Sequence, residues 1–433
     1  MALSVKNMLG GGTVEVTNSI ENMVYAHEGS IEKNTFVEFQ NEFGDMLRAS
    51  GVLMTKNSQY DYPYQRIYSL GNERFILLFG KTSTPRLATY QFADGRVTLL
   101  NDIVITTVSN YNNRHMMIPL EDGTFLLLYS NGPAPKHRTV TVDNDGTIVL
   151  GVEKDSDTSL VLGYDFPAKA NSYLDMGDGY YIISAHVSGQ GYEYIQLVRY
   201  DGDSLSVLDS RSFGSSANAY KVMSPGCLHK LDNNKFVLFY PVHSSYYYAH
   251  WVECDVSSRT SIVLGTDNAN TSVTFRSLAI SSDGKDAFLF YGQNSDGTYP
   301  TIGKYTNSSN SVGNLHTITF SNNVICNDIV FVGGRLYLSV LSSSTRYLWG
   351  YDTKTGQEIA RISVDTSGYS QHSDSIYVKD DGRIYFAIEY SSGIYLYYIN
   401  AEMFISEASS RIDGLLVSMA STTQKGKVLE LKK

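Results

Sequence analysis

A short turn followed by a run of apolar residues recurs along the chain. One copy is LEDGTFLLLYS at 120–130, and similar phrases stand at 70–80, 176–184, 231–240, 281–291, 332–340 and 379–387. The first apolar residues after these turns are separated by 48 to 56 residues; they are Phe75, Phe125, Tyr180, Phe236, Ala287, Leu336 and Ile384. A period near 50 is typical of propeller blades and is too long for most helical repeats.

Each repeat contains several separate β-rich runs. In the first repeat they are QRIYSL at 65–70, RFILLFG at 74–80, RLATYQF at 86–92 and VTLLNDIVI at 97–105, divided by Gly, Asp, Asn, Pro and Ser turns. No part of 50–400 shows a helical period with caps. The pattern predicts an all-β fold, a seven-bladed β-propeller with four antiparallel strands per blade.

The recurring turn has a physical explanation. Asp-Gly, Asn-Asn and Gly-Gly pairs tolerate the positive φ angles that a two-residue hairpin turn requires. The second strand of each repeat is almost continuously apolar, which predicts burial by neighbouring blades on both of its faces.

The segment LWGYDTKTGQEIARI at 348–362 resembles the outer hairpin of blades in the YVTN and quinoprotein-like propellers. In those blades an aromatic-Asp pair precedes a Thr-Gly turn, and KYTNSSNSVGNLHTI at 304–318 is a looser copy. The resemblance implies the propeller fold and no particular activity.

Both ends of the chain fall outside the repeat. We predict an N-terminal anchoring or closing segment at 1–45, the propeller at 46–404 and a C-terminal tail segment at 405–433. A strand at about 35–40 is expected either to close the last blade or to belong to a separate anchoring piece. The tail is expected to end in a short strand flanked by lysines.

The termini MALSVKNMLGGG and RIDGLLVSMASTTQKGKVLEL resemble those of bacteriophage tail, neck or fibre proteins. This resemblance implies a place on a virion, after synthesis in the host cytoplasm. The start shows no apolar run of secretory length, which agrees with that expectation.

Composition and charge limit the classes of partner. The chain has 433 residues, of which 42% are hydrophobic and 18% charged, and its formal net charge is −10. The negative charge opposes binding to nucleic acid phosphates and to anionic lipid. We therefore expect no nucleic acid partner and no membrane insertion.

The cysteines do not suggest a metal or disulfide framework. Cys227, Cys254 and Cys326 lie far apart and form no close pair. We expect them to be buried, reduced thiols.

No catalytic or metal-binding constellation is evident in the sequence. SSDGKDAF at 281–288 and DNDGTIVL at 143–150 lack the full Asp-box pattern of sialidase propellers. His243 and His250 lie seven residues apart, and His372 precedes Asp374 by two, but a metal site needs three or four converging ligands. We therefore predict no metal, no cofactor and no enzymatic activity.

The loops expected on one common face are rich in Tyr, Ser, Asn and Gly, which is typical of adaptable recognition surfaces. Tyrosine is also frequent inside strands, so simple packing of these loops on one another is the alternative. Arginines at the starts of first strands either face the channel or bind solvent and carbonyl groups. The candidate ligand-binding residues are Tyr60, Tyr62, Tyr64, Arg66, Tyr111, Arg114, Tyr246, Tyr248, Trp251, Tyr299, Tyr369 and His372.

Three functions are compatible with these observations. The first is a non-enzymatic propeller of a phage or phage-like particle that binds a host-surface glycan or protein, or docks to other virion proteins, either as a monomer or as a homo-oligomer. The second is a glycoside-acting or lactonase-like enzyme with its site at the channel mouth. The third is an intracellular scaffold for protein interactions.

Overall fold

The computed structural model describes most of the repeat region and parts of both ends. The described residues are 3–6, 13–16, 21–26, 30–32, 36–55, 66–81, 84–105, 115–131, 134–162, 172–187, 192–214, 227–243, 247–274, 278–282, 286–291, 301–317, 324–332, 335–342, 345–353, 356, 358–364, 375–378, 384–390, 393–407, 414–416, 420–421 and 426–430.

Six strands precede the first repeat. They are β1 (Leu3–Lys6), β2 (Thr13–Val16), β3 (Glu21–Ala26), β4 (Ser30–Ile31), β5 (Phe36–Arg48) and β6 (Met54–Thr55).

The first three repeats each form one antiparallel sheet whose strands follow chain order. The first sheet contains β7 (Arg66–Gly71), β8 (Arg74–Lys81), β9 (Thr84–Ala93) and β10 (Arg96–Val104). The second contains β11 (His115–Pro119), β12 (Phe125–Asn131), β13 (Ala134–Val142) and β14 (Ile148–Leu150), with β15 (Lys154–Asp155) also paired to β13. The third contains β16 (Tyr173–Asp175), β17 (Tyr180–Val187), β18 (Tyr192–Tyr200) and β19 (Leu205–Gly214).

The next three repeats follow the same order. The fourth sheet contains β20 (Cys227–Lys230), β21 (Lys235–His243), β22 (Tyr247–Asp255) and β23 (Val263–Thr274). The fifth contains β24 (Leu278–Ser282), β25 (Asp286–Tyr291), β26 (Thr301–Thr306) and β27 (Ser311–Thr317). The sixth contains β28 (Val324–Val332), β29 (Arg335–Ser342), β30 (Thr345–Asp352) and β31 (Glu358–Val364).

The last repeat and the C-terminal tail supply the remaining strands. They are β32 (Ser375–Val378), β33 (Ile384–Tyr390), β34 (Gly393–Glu407), β35 (Gly414–Leu416), β36 (Ala420–Ser421) and β37 (Gly426–Glu430). Within the described residues the helical content is one 3-10 turn, Asn307–Ser309, and no helix there has the length and apolarity needed to cross a bilayer.

The structure confirms an all-β propeller with four-stranded antiparallel blades, but it does not confirm the predicted count of seven blades. The described residues form six blade sheets, and the strands of the seventh repeat belong to an eight-stranded sheet. The physical reason is the length of β34, which spans 15 residues. Its second half pairs with β5, so the hydrogen-bond ladder continues from the repeat into the terminal strands.

The apolar second strands are buried on both faces, as predicted. In β12, Leu126 and Leu128 join a cluster with Ile183 of the third sheet. The intervening Leu127 joins a cluster with Ile76 of the first sheet. Because successive side chains of a strand point to opposite faces, a strand held between two blades needs apolar residues at every position.

The predicted turn chemistry holds in some hairpins and fails in others. Asp94 and Gly95 have φ angles of 48° and 74°, as a two-residue hairpin with positive φ requires. The turn before β21 is different, because neither Asn233 nor Asn234 has a positive φ angle. There the Asp232 carboxylate accepts hydrogen bonds from the backbone amides of Asn234 at 2.6 Å and Lys235 at 2.8 Å.

The chain divides into two compact units. The larger comprises 48–377 and 386–397 and contains the six blade sheets. The smaller comprises 1–47, 378–385 and 398–433. In the smaller unit β1 pairs with β2, β4 with β36, and β37 with both β3 and β35. The predicted strand near 35–40 and the predicted terminal strand correspond to β5 and β37, whereas the predicted domain boundaries stay predictions.

Candidate functional site

Three of the predicted ligand-binding residues lie in described parts of the chain: Arg66, Tyr248 and Trp251. Tyr248 belongs to β22, where its backbone pairs with Val242. The others lie outside the described residues; they are Tyr60, Tyr62, Tyr64, Tyr111, Arg114, Tyr246, Tyr299, Tyr369 and His372.

Trp251 lies in the core and not on a loop. Its side chain is buried in a cluster with Cys227 and Tyr305, between the fourth and fifth sheets. The indole N–H donates to the backbone carbonyl of Asn310 at 3.3 Å and to its Oδ1 at 3.2 Å. This corrects its assignment to an exposed ligand-binding face, because the strand alternation turns it toward the neighbouring blade.

Arg66 is the first residue of β7, the first strand of its sheet. It is half-buried, and its guanidinium carbon lies 5.4 Å from the ring centroid of Tyr68. The Tyr68 hydroxyl donates a 2.6 Å hydrogen bond to the carbonyl of Met117 in β11. The first strands of the first two sheets are therefore tied together beside Arg66.

Tyr173, the first residue of β16, lies in the same neighbourhood. Burial raises the pKa of its phenol, and the positive charge of Arg66 opposes that rise. Burial also raises the pKa of Tyr68, again against the charge of Arg66. The charge of Arg66 therefore acts on phenols of both the first and the third sheets.

The hydroxyl of Tyr173 makes no hydrogen bond to any other described residue. A protonated phenol beside a guanidinium supplies two donors that stabilise negative charge on an oxygen. The group of Arg66, Tyr68 and Tyr173 is therefore suited to hold a carboxylate or a carbonyl oxygen that becomes negatively charged. We call it the first-strand cluster.

Sequence reasoning identified Arg66 but missed Tyr68 and Tyr173. The signal available was positional, since Arg66 and Tyr173 both begin the first strand of a repeat. Nothing in the pattern distinguished a tyrosine at this position from the many tyrosines that pack inside strands.

A second polar group, also missed, lies in the fourth sheet. His250 Nδ1 lies 3.2 Å from each carboxylate oxygen of Asp267, and the ring centroids of His250 and Tyr240 are 5.5 Å apart. In the sequence His250 stands near His243 as a possible metal ligand pair, whereas its carboxylate partner lies 17 residues later, on the next strand. The side chain of His243, and the pair His372 and Asp374, lie outside what the structure describes.

Within the described residues, no three His, Cys, Asp or Glu side chains converge as metal ligands would. The thiols of Cys227 and Cys254 are buried and free of disulfide bonds, as predicted, while the side chain of Cys326 is not described.

No protein-family model matches the sequence, and no curated protein matches it. Several solved structures resemble the fold. An ulvan lyase bound to a GlcA–Rha3S saccharide is 12% identical, with a TM-score of 0.49 over 90% of this chain and 98% of its own. The periplasmic gluconolactonase of Pseudomonas aeruginosa is 13% identical, with a TM-score of 0.47 over 81% of this chain and 100% of its own. A structure of the Dos1 propeller is 10% identical, with a TM-score of 0.46 over 88% of this chain and 96% of its own.

These comparisons correct the prediction that the chain is not an enzyme. Structures that share its fold include a gluconolactonase and a polysaccharide lyase. None of the three is described as a phage protein, and the predicted phage role has no support from them. At these identities and TM-scores the similarity assigns no activity to this chain.

Proposed function

We propose that this protein is an enzyme that acts on a sugar derivative carrying a lactone or a carboxylate group. The observation that supports the proposal is the first-strand cluster, where the guanidinium of Arg66 lies beside the ring of Tyr68 and its charge acts on the phenol of Tyr173. The site lies at the starts of first strands, whereas the channel mouth expected from the sequence for a lactonase-like or glycoside-acting enzyme stays a prediction.

The chemistry of the cluster favours reactions that place negative charge on a carboxyl-level oxygen. When water adds to a lactone carbonyl, the carbonyl oxygen becomes an oxyanion before the ring C–O bond breaks. Arg66 and the Tyr173 hydroxyl would both donate to that oxygen. Because burial raises the pKa of Tyr173, its phenol stays protonated at neutral pH and acts as a donor.

Elimination from a uronate also requires stabilisation of negative charge on a carboxyl-level oxygen. Removing the proton beside the carboxylate moves negative charge onto the carboxyl oxygens, and a cation with a hydrogen-bond donor stabilises that charge. The donor pair therefore fits both reactions, and both substrates carry a carboxyl-level carbon on a sugar framework.

A substrate screen with matched variants tests the proposal. The full chain is incubated with aldonolactones and with uronate-containing oligosaccharides, and proton release or formation of the unsaturated product is followed. We expect turnover, and we expect Tyr173→Phe and Arg66→Gln each to reduce kcat/KM by about 100-fold. Arg66→Lys should recover part of the loss, because it restores the charge without the planar guanidinium.

Asp94→Asn is the control, since Asp94 is exposed in a hairpin turn of the first sheet and Asn tolerates its positive φ angle. Absence of turnover by the folded protein on both substrate groups would contradict the proposal. So would unchanged kinetics of Tyr173→Phe.

The predicted tyrosine-rich loops belong to this proposal as contacts to the sugar. Aromatic side chains with few rotatable bonds, together with Ser and Asn, suit binding of a saccharide. Glycan-array binding by the wild-type chain, weakened by Tyr62→Ala or Tyr299→Ala, would support the assignment, and no binding to any glycan would count against it.

A virion location, virion or host-surface protein partners and homo-oligomerisation stay predictions, for which particle association in the native source is the test.

We also propose that the seventh repeat forms a seventh blade, with β6 as an added strand. β6 pairs with β34 through Met54 with Ile394 and Thr55 with Gly393. Backbone bonds from Ala49 to Leu396 and from Leu53 to Ile394, each 2.9 Å, extend this attachment. Deleting residues 48–55 should lower the melting temperature cooperatively, and an unchanged melting transition would oppose the proposal.

A further inference from the structure

His250 and Asp267 form a polar pair on the face of the fourth sheet that meets the third. In β22, His250 is the cross-strand partner of Tyr240 in β21. Asp267 in β23 pairs with Val252, so it is diagonal to His250 on the same face. The two side chains are 18% and 51% exposed, and solvent therefore reaches the pair.

The carboxylate determines which nitrogen of His250 carries a proton. Nδ1 lies 3.2 Å from each Asp267 oxygen, so Nδ1–H donates to the carboxylate. Nε2 then carries a lone pair, and it has no hydrogen-bond partner among the described residues. An imidazole with a carboxylate on one nitrogen and a free lone pair on the other has the arrangement of a general base.

The surroundings hold this pair in place. Tyr240 is 5% exposed and its ring lies 5.5 Å from the imidazole. Burial and the charge of Asp267 together raise the pKa of the Tyr240 phenol, which remains a neutral neighbour of the carboxylate.

The third sheet supplies the facing wall. Phe213 of β19 packs against Tyr240 with ring centroids 5.1 Å apart. Its cross-strand partner is Glu193, a buried carboxylate that accepts a hydrogen bond from the Ser184 hydroxyl. The pair therefore lies beside an aromatic wall at a junction between two blades.

Other histidines of the fold have different environments. His137 is buried, with Nδ1 3.0 Å from Ser156 Oγ and Nε2 3.1 Å from the carbonyl of Asp203. His229 is buried, with Nε2 3.2 Å from Asn307 Oδ1. Both are enclosed by packing, whereas His250 combines a carboxylate partner with access to solvent.

We propose that His250 and Asp267 form a second catalytic site, a general-base dyad that hydrolyses acyl esters. His250 Nε2 removes a proton from water, and the water oxygen bonds to the acyl carbon. The C–O bond to the alcohol then breaks, and the alkoxide takes the proton from Nε2, giving an acid and an alcohol. Asp267 is a positioning residue, which holds the ring and stabilises the imidazolium.

An ester is the substrate class that this arrangement fits. Direct attack by water on a glycoside usually requires two carboxyl groups across the scissile bond. An ester carbonyl requires one base and returns the proton to the leaving alcohol. The dyad is independent of the first-strand cluster, and its test uses neither Arg66 nor Tyr173.

Para-nitrophenyl acetate is the probe for the intact chain. We expect hydrolysis more than about tenfold faster than by free imidazole at the same concentration, as general-base catalysis by a positioned group allows. His250→Gln should abolish the excess, Asp267→Asn should reduce it by about tenfold, and Asp94→Asn should leave it unchanged. Added imidazole should restore part of the rate to His250→Ala, which a purely structural histidine would not show.

Nitrogen NMR of the wild-type chain tests the dyad without relying on a variant that folds. A proton on Nδ1 and a lone pair on Nε2 of His250 are the expected result. The proposal is overturned by the opposite tautomer, by a wild-type rate no greater than that of free imidazole, or by full activity of His250→Gln.

Discussion

The hydroxyl of Tyr68 in β7 donates a 2.6 Å hydrogen bond to the backbone carbonyl of Met117 in β11, 49 residues later. This bond joins the first strands of two adjacent blades. Tyr68 also makes an edge contact with Phe125, with ring centroids 5.6 Å apart, so its ring packs while its hydroxyl links the strands. Contacts of this kind contribute to the stability of the interface between neighbouring blades.

The Tyr68–Met117 bond predicts a measurable loss of stability. Tyr68→Phe keeps the ring packing but leaves the Met117 carbonyl without its partner, so the free energy of unfolding should fall by about 1 to 2 kcal/mol. Urea denaturation followed by circular dichroism measures the change. An unchanged midpoint would show that solvent replaces the phenol at that carbonyl.

Two glycines in equivalent hairpins should respond differently to alanine. Gly123 has φ 82° and open space where a Cβ would stand, so Gly123→Ala bears only the backbone strain of about 1 kcal/mol. Gly179 has φ 76°, but an added Cβ would overlap the carbonyl oxygen of Tyr200. Gly179→Ala should therefore lower the melting temperature further than Gly123→Ala. Equal shifts would contradict the close approach.

The side chain of Gln196 forms hydrogen bonds to Val161, in the segment that follows the second blade. Its amide accepts from the Val161 N–H and donates to the Val161 carbonyl, both at 2.8 Å, and its side chain is fully buried. Gln196→Met preserves volume but leaves both Val161 groups unpaired, so we expect a loss of about 2 to 4 kcal/mol in unfolding free energy. Ser206→Ala, at an exposed position of β19, is the control and should change little.

Buried tyrosines predict instability at high pH. Burial raises the folded-state pKa of Tyr68, of Tyr90 and, to about 12, of Tyr337. In the unfolded chain these phenols titrate near 10. Their contribution to stability is therefore complete below about pH 10 and is lost as the pH rises toward the folded-state values.

A tyrosinate absorbance titration tests this prediction. Exposed phenols should ionise first, and buried ones should ionise together with the loss of near-ultraviolet circular dichroism. A single ionisation step near pH 10 with an intact fold would contradict the burial.

The two buried thiols should resist alkylation. Burial raises the pKa of the Cys254 thiol to about 12, and the thiolate is the reactive form. Mass spectrometry after iodoacetamide treatment should find Cys227 and Cys254 unmodified in the folded chain and modified in urea. Rapid labelling of Cys227 without denaturant would show that the junction between the fourth and fifth blades opens, and rapid labelling of Cys254 would show the same for the third and fourth blades.

Much of the fold could be predicted from the sequence, because the signals that specify strands and turns are local. The predicted runs at 65–70, 74–80, 86–92 and 97–105 correspond closely to β7, β8, β9 and β10. The hairpin recognised at 348–362 is formed by β30 and β31, with Gly356 at φ 68° in its turn. Turn chemistry and apolar runs reside within a few neighbouring residues, so they can be recognised without the rest of the chain.

The candidate sites were harder to predict from the sequence, because they depend on strand register. His250 and Asp267 share a face because β22 and β23 pair with a register shift at Val252/Cys254, between the hairpin turn and the pair. A shift of one residue moves a side chain to the other face of a sheet, and a bulge introduces such a shift without a clear sequence signal. The burial of Trp251, next to His250 in the chain, follows from the same alternation.

By itself the sequence determined the repeat, the four strands within it and the doubly buried second strand, since hydrophobic period and turn residues act over short distances. Only the tertiary structure decided that β34 continues beyond the last repeat to pair with β5, that the charge of Arg66 acts on both Tyr68 and Tyr173, and that Asp267 orients His250. These relationships join residues from separate strands or blades, and register and packing, which no local pattern specifies, bring them together.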